Sequence, residues 1–147
     1  MGDMKNWMRA AFVCAVLPVL AACASGPTYS EMQKTTAPIA ANSGRIYIYR
    51  SGSPFGAAVQ PDVKVDGSVV GSAVPGGYFY VDLPAGSHKI SADTEVERDL
   101  SVTLEAGQTR YVSLHVSMGA FVGHISPELA DDKTGSEDIK DCSYTGK

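Results

Sequence analysis

From Gly44 to Ile125 the chain alternates apolar and polar positions in short runs, each closed by Gly, Pro or Asp. The clearest run is Arg45–Arg50 (RIYIYR), with Ile46 and Ile48 on one side and Tyr47 and Tyr49 on the other. Strand side chains point to opposite faces at successive residues, so a period of two predicts strand and not helix. Further strands are expected over Asp62–Val65, Ser68–Ser72, Tyr78–Leu83, Gly86–Thr94, Arg98–Leu104, Gln108–Val116 and Phe121–Ile125. The turn chemistry agrees with these boundaries. Asp66-Gly67 tolerates the positive φ of a two-residue hairpin, Pro84 presets φ ahead of Gly86, and Glu105-Ala106-Gly107 joins the next pair. Seven or eight short strands predict an all-β fold, a small antiparallel sandwich, because one open sheet would leave too much apolar surface in water.

The alternation also assigns faces. Ile46, Ile48, Val63, Val65, Phe79, Val81, Leu83, Ile90, Ala92, Leu100, Val102, Leu104, Val112, Leu114 and Val116 fall on the sides expected to meet in the core. Tyr47, Tyr49, Tyr78, Tyr80 and Tyr111 then face the other way, together with His115. Tyrosine presents a rigid apolar ring with a hydroxyl, which suits protein contacts and the stacking of sugars, so these five are the candidate contact surface.

Outside the alternating region the pattern is different. Lys5 and Arg9 precede an uncharged apolar run, Ala10–Ala22, too short for a permanent transmembrane helix but suited to a secretory leader. It ends in Leu20-Ala21-Ala22-Cys23, which resembles the bacterial lipobox. The resemblance implies that a peptidase recognises Leu20, Ala21 and Ala22, cuts before Cys23, and leaves Cys23 carrying lipid. Residues 1–22 are therefore expected to be a lipoprotein signal peptide. Three acyl chains, at about 0.8 kcal/mol per buried methylene, would hold the mature chain to a membrane. Ala24 follows the cysteine; among enterobacterial lipoproteins the lack of Asp there implies transport to the outer membrane, here with the domain facing the periplasm. Residues 23–43, rich in Pro and small residues, are expected to be a flexible tether spanning about 25 Å, with a capping-box spacing for one helical turn at Ser30–Gln33. The domain itself is expected over 44–130, and 131–147 reads as a loose polar tail.

Composition narrows the function classes. Hydrophobic residues are 44% of the chain and charged residues 19%, which is ordinary for a globular domain. Formal charge is −4; losing Asp3, Lys5 and Arg9 with the leader makes it −5. An acidic domain has no electrostatic reason to bind nucleic acid. Of three cysteines, Cys14 leaves with the leader and Cys23 is lipidated, so Cys142 has no partner within the mature chain.

Catalytic chemistry is not apparent in the motifs. Gly52-Ser53-Pro54-Phe55-Gly56 has its serine one place off a nucleophile elbow and no helix after it. His88, His115 and His124 lack metal-ligand spacing, so no metal or cofactor is expected. The loop Ser117–Gly123, loosened by Gly119 and Gly123, is expected to cap one open end of the sandwich with Met118 and Phe121. The other reading of that loop is a docking element for a partner or a membrane.

The runs RIYIYR, GAAVQPDVKVDGSVVG, GGYFYVDLPAGSHKISA and LEAGQTRYVSLHVSMGAFVG follow one another from Arg45 to about Leu129. In that order they resemble the DUF2846 family of bacterial lipoproteins, and VDGSVVG…LPAGSHKISA is similar to PEGA-type β-sandwich modules. The resemblance implies a sandwich, assigns no reaction and transfers no catalytic residue. The expected function is a membrane-anchored, non-enzymatic binding or structural module of the cell envelope, its partner an envelope protein or a glycan. The alternative is a small-ligand or metal carrier using a pocket at one sandwich end with His88, His115 or His124. Oligomeric state is left open.

Overall fold

The computed structural model describes residues 23–121 and 123–146; the leader, with Leu20, Ala21 and Ala22, lies outside the described residues. Among the described residues nine strands form two sheets. They are β1 (Ser43–Tyr49), β2 (Asp62–Val65), β3 (Ser68–Ser72), β4 (Gly77–Pro84), β5 (Gly86–Asp93), β6 (Glu97–Leu104), β7 (Thr109–Met118), β8 (Gly123–Ala130) and β9 (Ser143–Tyr144). One sheet has the order β8-β7-β1-β4-β9 and the other β3-β2-β5-β6. The all-β sandwich expected from the alternation is present, with β9 beyond the strands foreseen. Two pairings are parallel, β1 with β7 and β4 with β9, and the rest are antiparallel.

Between the sheets lies an aliphatic core. Ile46, Ile48, Val63, Val65, Phe79, Ile90, Ala92, Val102, Leu104, Val112 and Leu114 are buried in it, and Val81, Leu83, Leu100 and Val116 pack against it. Every position assigned inward by alternation is thus on the core. Ala73 and Ile125 complete it. Asp66 and Gly67 take φ of 50° and 84°, the left-handed pair that a tight β2–β3 hairpin requires.

The sandwich has two distinct ends. At one, the polar end, lie Asn42-Ser43, Asp66-Gly67, Pro84–Gly86 and Glu105–Gly107, tied by Ala85 N–H to Asn42 O and Gly107 N–H to Ser43 O. At the other, the loop end, lie the 51–61 loop after β1, the β3–β4 connection, the β5–β6 turn and the β7–β8 turn.

The flanking segments depart from expectation. The tail folds back as helix α2 (Asp132–Asp138), a 3-10 turn (Ile139–Asp141) and β9. Asp131 caps α2 by accepting from Thr134 N–H at 2.9 Å. The tether is not free either. Helix α1 (Tyr29–Met32) starts one residue before the expected Ser30–Gln33 turn, because Thr28 and Glu31, not Ser30 and Gln33, form the capping box. Thr28 bridges to Ser143, and Tyr144 N–H donates to Pro27 O, so the two chain ends are hydrogen-bonded to each other. Both lie on the outer face of the five-stranded sheet, where Tyr29 and Met32 pack with Ile139 and Cys142.

Candidate functional site

Alternation in β1 places Tyr47 and Tyr49 outward, and the register sets Tyr80 beside Tyr47, Tyr78 beside Tyr49 and Tyr111 beside Tyr47 on the far side. The five candidate tyrosines therefore do gather on one face. They are not a contact surface for a partner, however: Tyr47, Tyr49, Tyr78 and Tyr111 are only 1–8% exposed, and Tyr80 is half-buried. The covering is the protein's own. Tyr29 meets Tyr47 and Tyr78 edge-on at 5.7 Å each, Tyr47 stacks on Tyr111 at 5.5 Å, and Tyr144 closes on Tyr78 at 5.5 Å. Edge and offset geometries of this kind satisfy the ring quadrupoles.

Their hydroxyls are largely engaged as well. Gln33 Nε2 donates to Tyr47 OH at 2.9 Å, and Tyr49 OH donates to Asp138 Oδ2 at 3.1 Å. Tyr78 OH has no hydrogen-bond partner among the described residues. Burial pushes the phenols of Tyr29, Tyr49 and Tyr78 well above their usual range, with neighbouring tyrosines or Asp138 adding to it, so they stay neutral. A second core replaces the expected docking face.

The two arginines of RIYIYR end up in different settings. Arg45 lies opposite Asp82 in the β1–β4 register, which lets its guanidinium make a two-pronged contact, Nε to Oδ1 at 2.6 Å and Nη2 to Oδ2 at 2.7 Å. It also donates to Ala37 O at 2.9 Å and sits 4.4 Å from the Tyr80 ring centroid. Asp82 holds its protonation above the ordinary range. Arg50, on the inward side, is 1% exposed. Its partners are three carbonyls: Val59 and Ala73 at 2.6 Å, and Gly56 at 2.7 Å. Desolvation lowers its pKa. It acts as the peg that shapes the 51–61 loop.

A cleft of about 310 Å³ remains between the N-terminal segment and the sheet, lined by Gln33, Thr36, Arg45, Tyr47, Thr109 and Tyr111 among others. Gln33, Thr36 and Arg45 already hold partners within the protein, so it offers ring faces but few uncommitted donors.

The histidines do not converge. His88 Nδ1 pairs with Asp66 Oδ2 at 2.7 Å and its Nε2 lies 2.8 Å from Pro84 O, at the polar end. The Asp66 carboxylate raises the pKa of His88 and is itself held low. His124 contacts Thr94 at 3.1 Å at the opposite end, and His115 stands exposed on β7. Among the described residues no group of three His, Cys, Asp or Glu side chains is placed to hold a metal ion. Cys142, expected in a loose tail, is instead buried; its thiol lies 3.6 Å from Arg50 O, and burial pushes its pKa up to about 11. Cys23 is exposed.

In the β7–β8 turn the cap expected from the sequence is not formed, and the apolar residues stand exposed as in the other reading of that loop. Met118 and Phe121 do not cap the sandwich: they are 77% and 91% exposed.

Residues 40–125, the segment that builds most of the sandwich, match the family described as a protein of unknown function, DUF2846. The chain belongs to the DUF2846 family. An uncharacterized protein of Haemophilus influenzae (strain ATCC 51907 / DSM 11121 / KW20 / Rd) is 32% identical over 142 residues, covering 92% of this chain and 83% of the relative. No solved structure matches. The DUF2846 match ends before α2, so the segments that seal the tyrosine layer lie outside it.

Proposed function

We propose that the mature DUF2846 chain is a lipid-anchored module of the bacterial cell envelope, held at the outer membrane through Cys23, that binds or braces another envelope component without catalysing a reaction. The observation that carries this reading is the placement of Cys23. It stands exposed, and the next residue is already docked: Ala24 N–H donates to Pro75 O at 3.1 Å. A lipidated first residue thus has solvent on one side and a fixed domain on the other. Three buried polar side chains are committed internally, Arg45 to Asp82, Arg50 to carbonyls and His88 to Asp66.

Replacing Cys23→Ser tests the anchor. The expected result is loss of the acyl mass from the N-terminal peptide and release of the chain from the membrane fraction. The reading fails if wild-type Cys23 carries no acyl group and the variant partitions as the parent does.

A further inference from the structure

Of the six large apolar residues exposed among the described residues, four lie at the loop end: Phe55, Val96, Met118 and Phe121. The other two, Val69 and Leu129, sit on the edge strands β3 and β8. This clustering follows from the topology. β1 and β7 run parallel, and β7 continues five residues beyond Ser113, the partner of Tyr49. At about 3.3 Å per residue, the β7–β8 turn projects roughly 16 Å past the end of β1. The 51–61 loop rises beside it, with Gly56 against Val116 and Phe55 lining a cavity of about 230 Å³ with His115 and Val116.

Cys23 belongs to the same end. Ala24 is bonded to Pro75 in the β3–β4 connection, and Gly76 N–H donates to Ser51 O at the start of the 51–61 loop. No slack separates the cysteine from this docked backbone. A single residue spans at most about 3.6 Å, so acyl chains on Cys23 would hold this end, not the polar end, against the bilayer.

We propose that the end carrying Phe55, Met118 and Phe121 lies in the boundary between headgroups and acyl chains of the membrane that holds Cys23. This rests on the lipidation reading above and replaces a domain standing off on a tether with one seated on the surface. Phe121 and Met118 enter furthest, while Glu95 and Glu97 keep the β5–β6 turn at the polar margin. With a formal charge of −5 once the leader is removed, the domain draws nothing from anionic lipid, so zwitterionic vesicles suffice and added salt leaves the contact unchanged.

The only tryptophan, Trp7, is in the leader, so the mature chain accepts a single reporter. The lipidated full-length mature protein carrying Phe121→Trp is reconstituted into phosphatidylcholine vesicles with brominated acyl chains, with Ala106→Trp at the polar end as the control. Both sites are exposed, so both variants fold. The expected result is blue-shifted emission that loses most of its intensity for Phe121→Trp, and solvent-like, unquenched emission for Ala106→Trp. Vesicle flotation and intact mass, read on the same samples, report the anchor separately. A floating, acylated Phe121→Trp protein with unquenched emission overturns the seated orientation and leaves the anchor standing. A chain without acyl mass that fails to float overturns both.

Discussion

The two faces of the five-stranded sheet are built from alternate residues of the same strands, yet they are closed in different ways. Ile46 and Ile48 are sealed by a second sheet, and their packing partners come from the strands that follow β1. Tyr47 and Tyr49, one residue away in each case, are sealed by segments from before β1 and after β8. The first face is an apolar contact between two regular surfaces, with Arg50 buried at its margin against three carbonyls. The second joins aromatic rings to polar side chains through specific hydrogen bonds, Gln33 to Tyr47 and Tyr49 to Asp138. What differs is the source of order: pattern repeated along strands on one side, individual contacts on the other.

Substitutions that act on one face at a time separate them. Ile48→Ala, at a fully buried position, is expected to cost about 3 kcal/mol and to lower the midpoint of global unfolding in urea, since deletion of buried methylenes leaves a cavity the two sheets cannot close. An intermediate effect is expected from Gly135→Ala in α2, where an added Cβ would lie 2.3 Å from Tyr111 Cβ and 2.4 Å from its Cγ. Alanine normally favours a helix by about 1 kcal/mol over glycine. Here the overlap falls on the base of the tyrosine side chain, which has no freedom to yield, and a net loss of about 2 kcal/mol is expected. The distinguishing readout is Cys142: its alkylation should accelerate as α2 lifts, while the aliphatic core keeps its hydrogen-exchange protection. In the parent, burial raises the thiol to about 11, so alkylation is slow at pH 8 and keeps rising beyond pH 9, where an exposed cysteine levels off. Equal loss of protection on both faces in Gly135→Ala would show that they unfold as one unit. The smallest effect is expected from Tyr49→Phe, which removes one hydrogen bond and keeps the ring, at about 1 kcal/mol by denaturant unfolding.

The aliphatic face was legible in the sequence because a period of two survives any detail of register: every residue placed inward by alternation from Ile46 to Val116 reached the core. The tyrosine face was half legible. Alternation says that Tyr47 and Tyr111 point the same way, but not what lies over them. The cover is two short helices, a 3-10 turn and a two-residue strand with their links, in which Tyr29, Met32, Ile139, Cys142 and Tyr144 are spread among polar residues, too few for a helical period to register. Two signals were available. Large side chains at every position of RIYIYR fit a strand buried on both sides, and Asp131 followed three residues later by Thr134 fits a helix cap. The exposed loop end was hidden for another reason: Met118 and Phe121 look the same in sequence whether they fold over the core or project from it.

The order in which the pieces become available follows from where the covers lie. The chain emerges N-terminus first, so β1 comes early, but its neighbour β7 follows about sixty residues later, and pairings so distant in the chain close slowly. Once β8 is out, every strand of the aliphatic interior exists, yet the outer row of tyrosines has only Tyr29, Met32 and Gln33 to cover it. The rest of the cover comes only with residues 131–147, which bring α2, Ile139 and β9. A chain ending at residue 130 would therefore be a two-sheet sandwich with much of its aromatic back uncovered, a target for chaperones that the completed protein no longer presents.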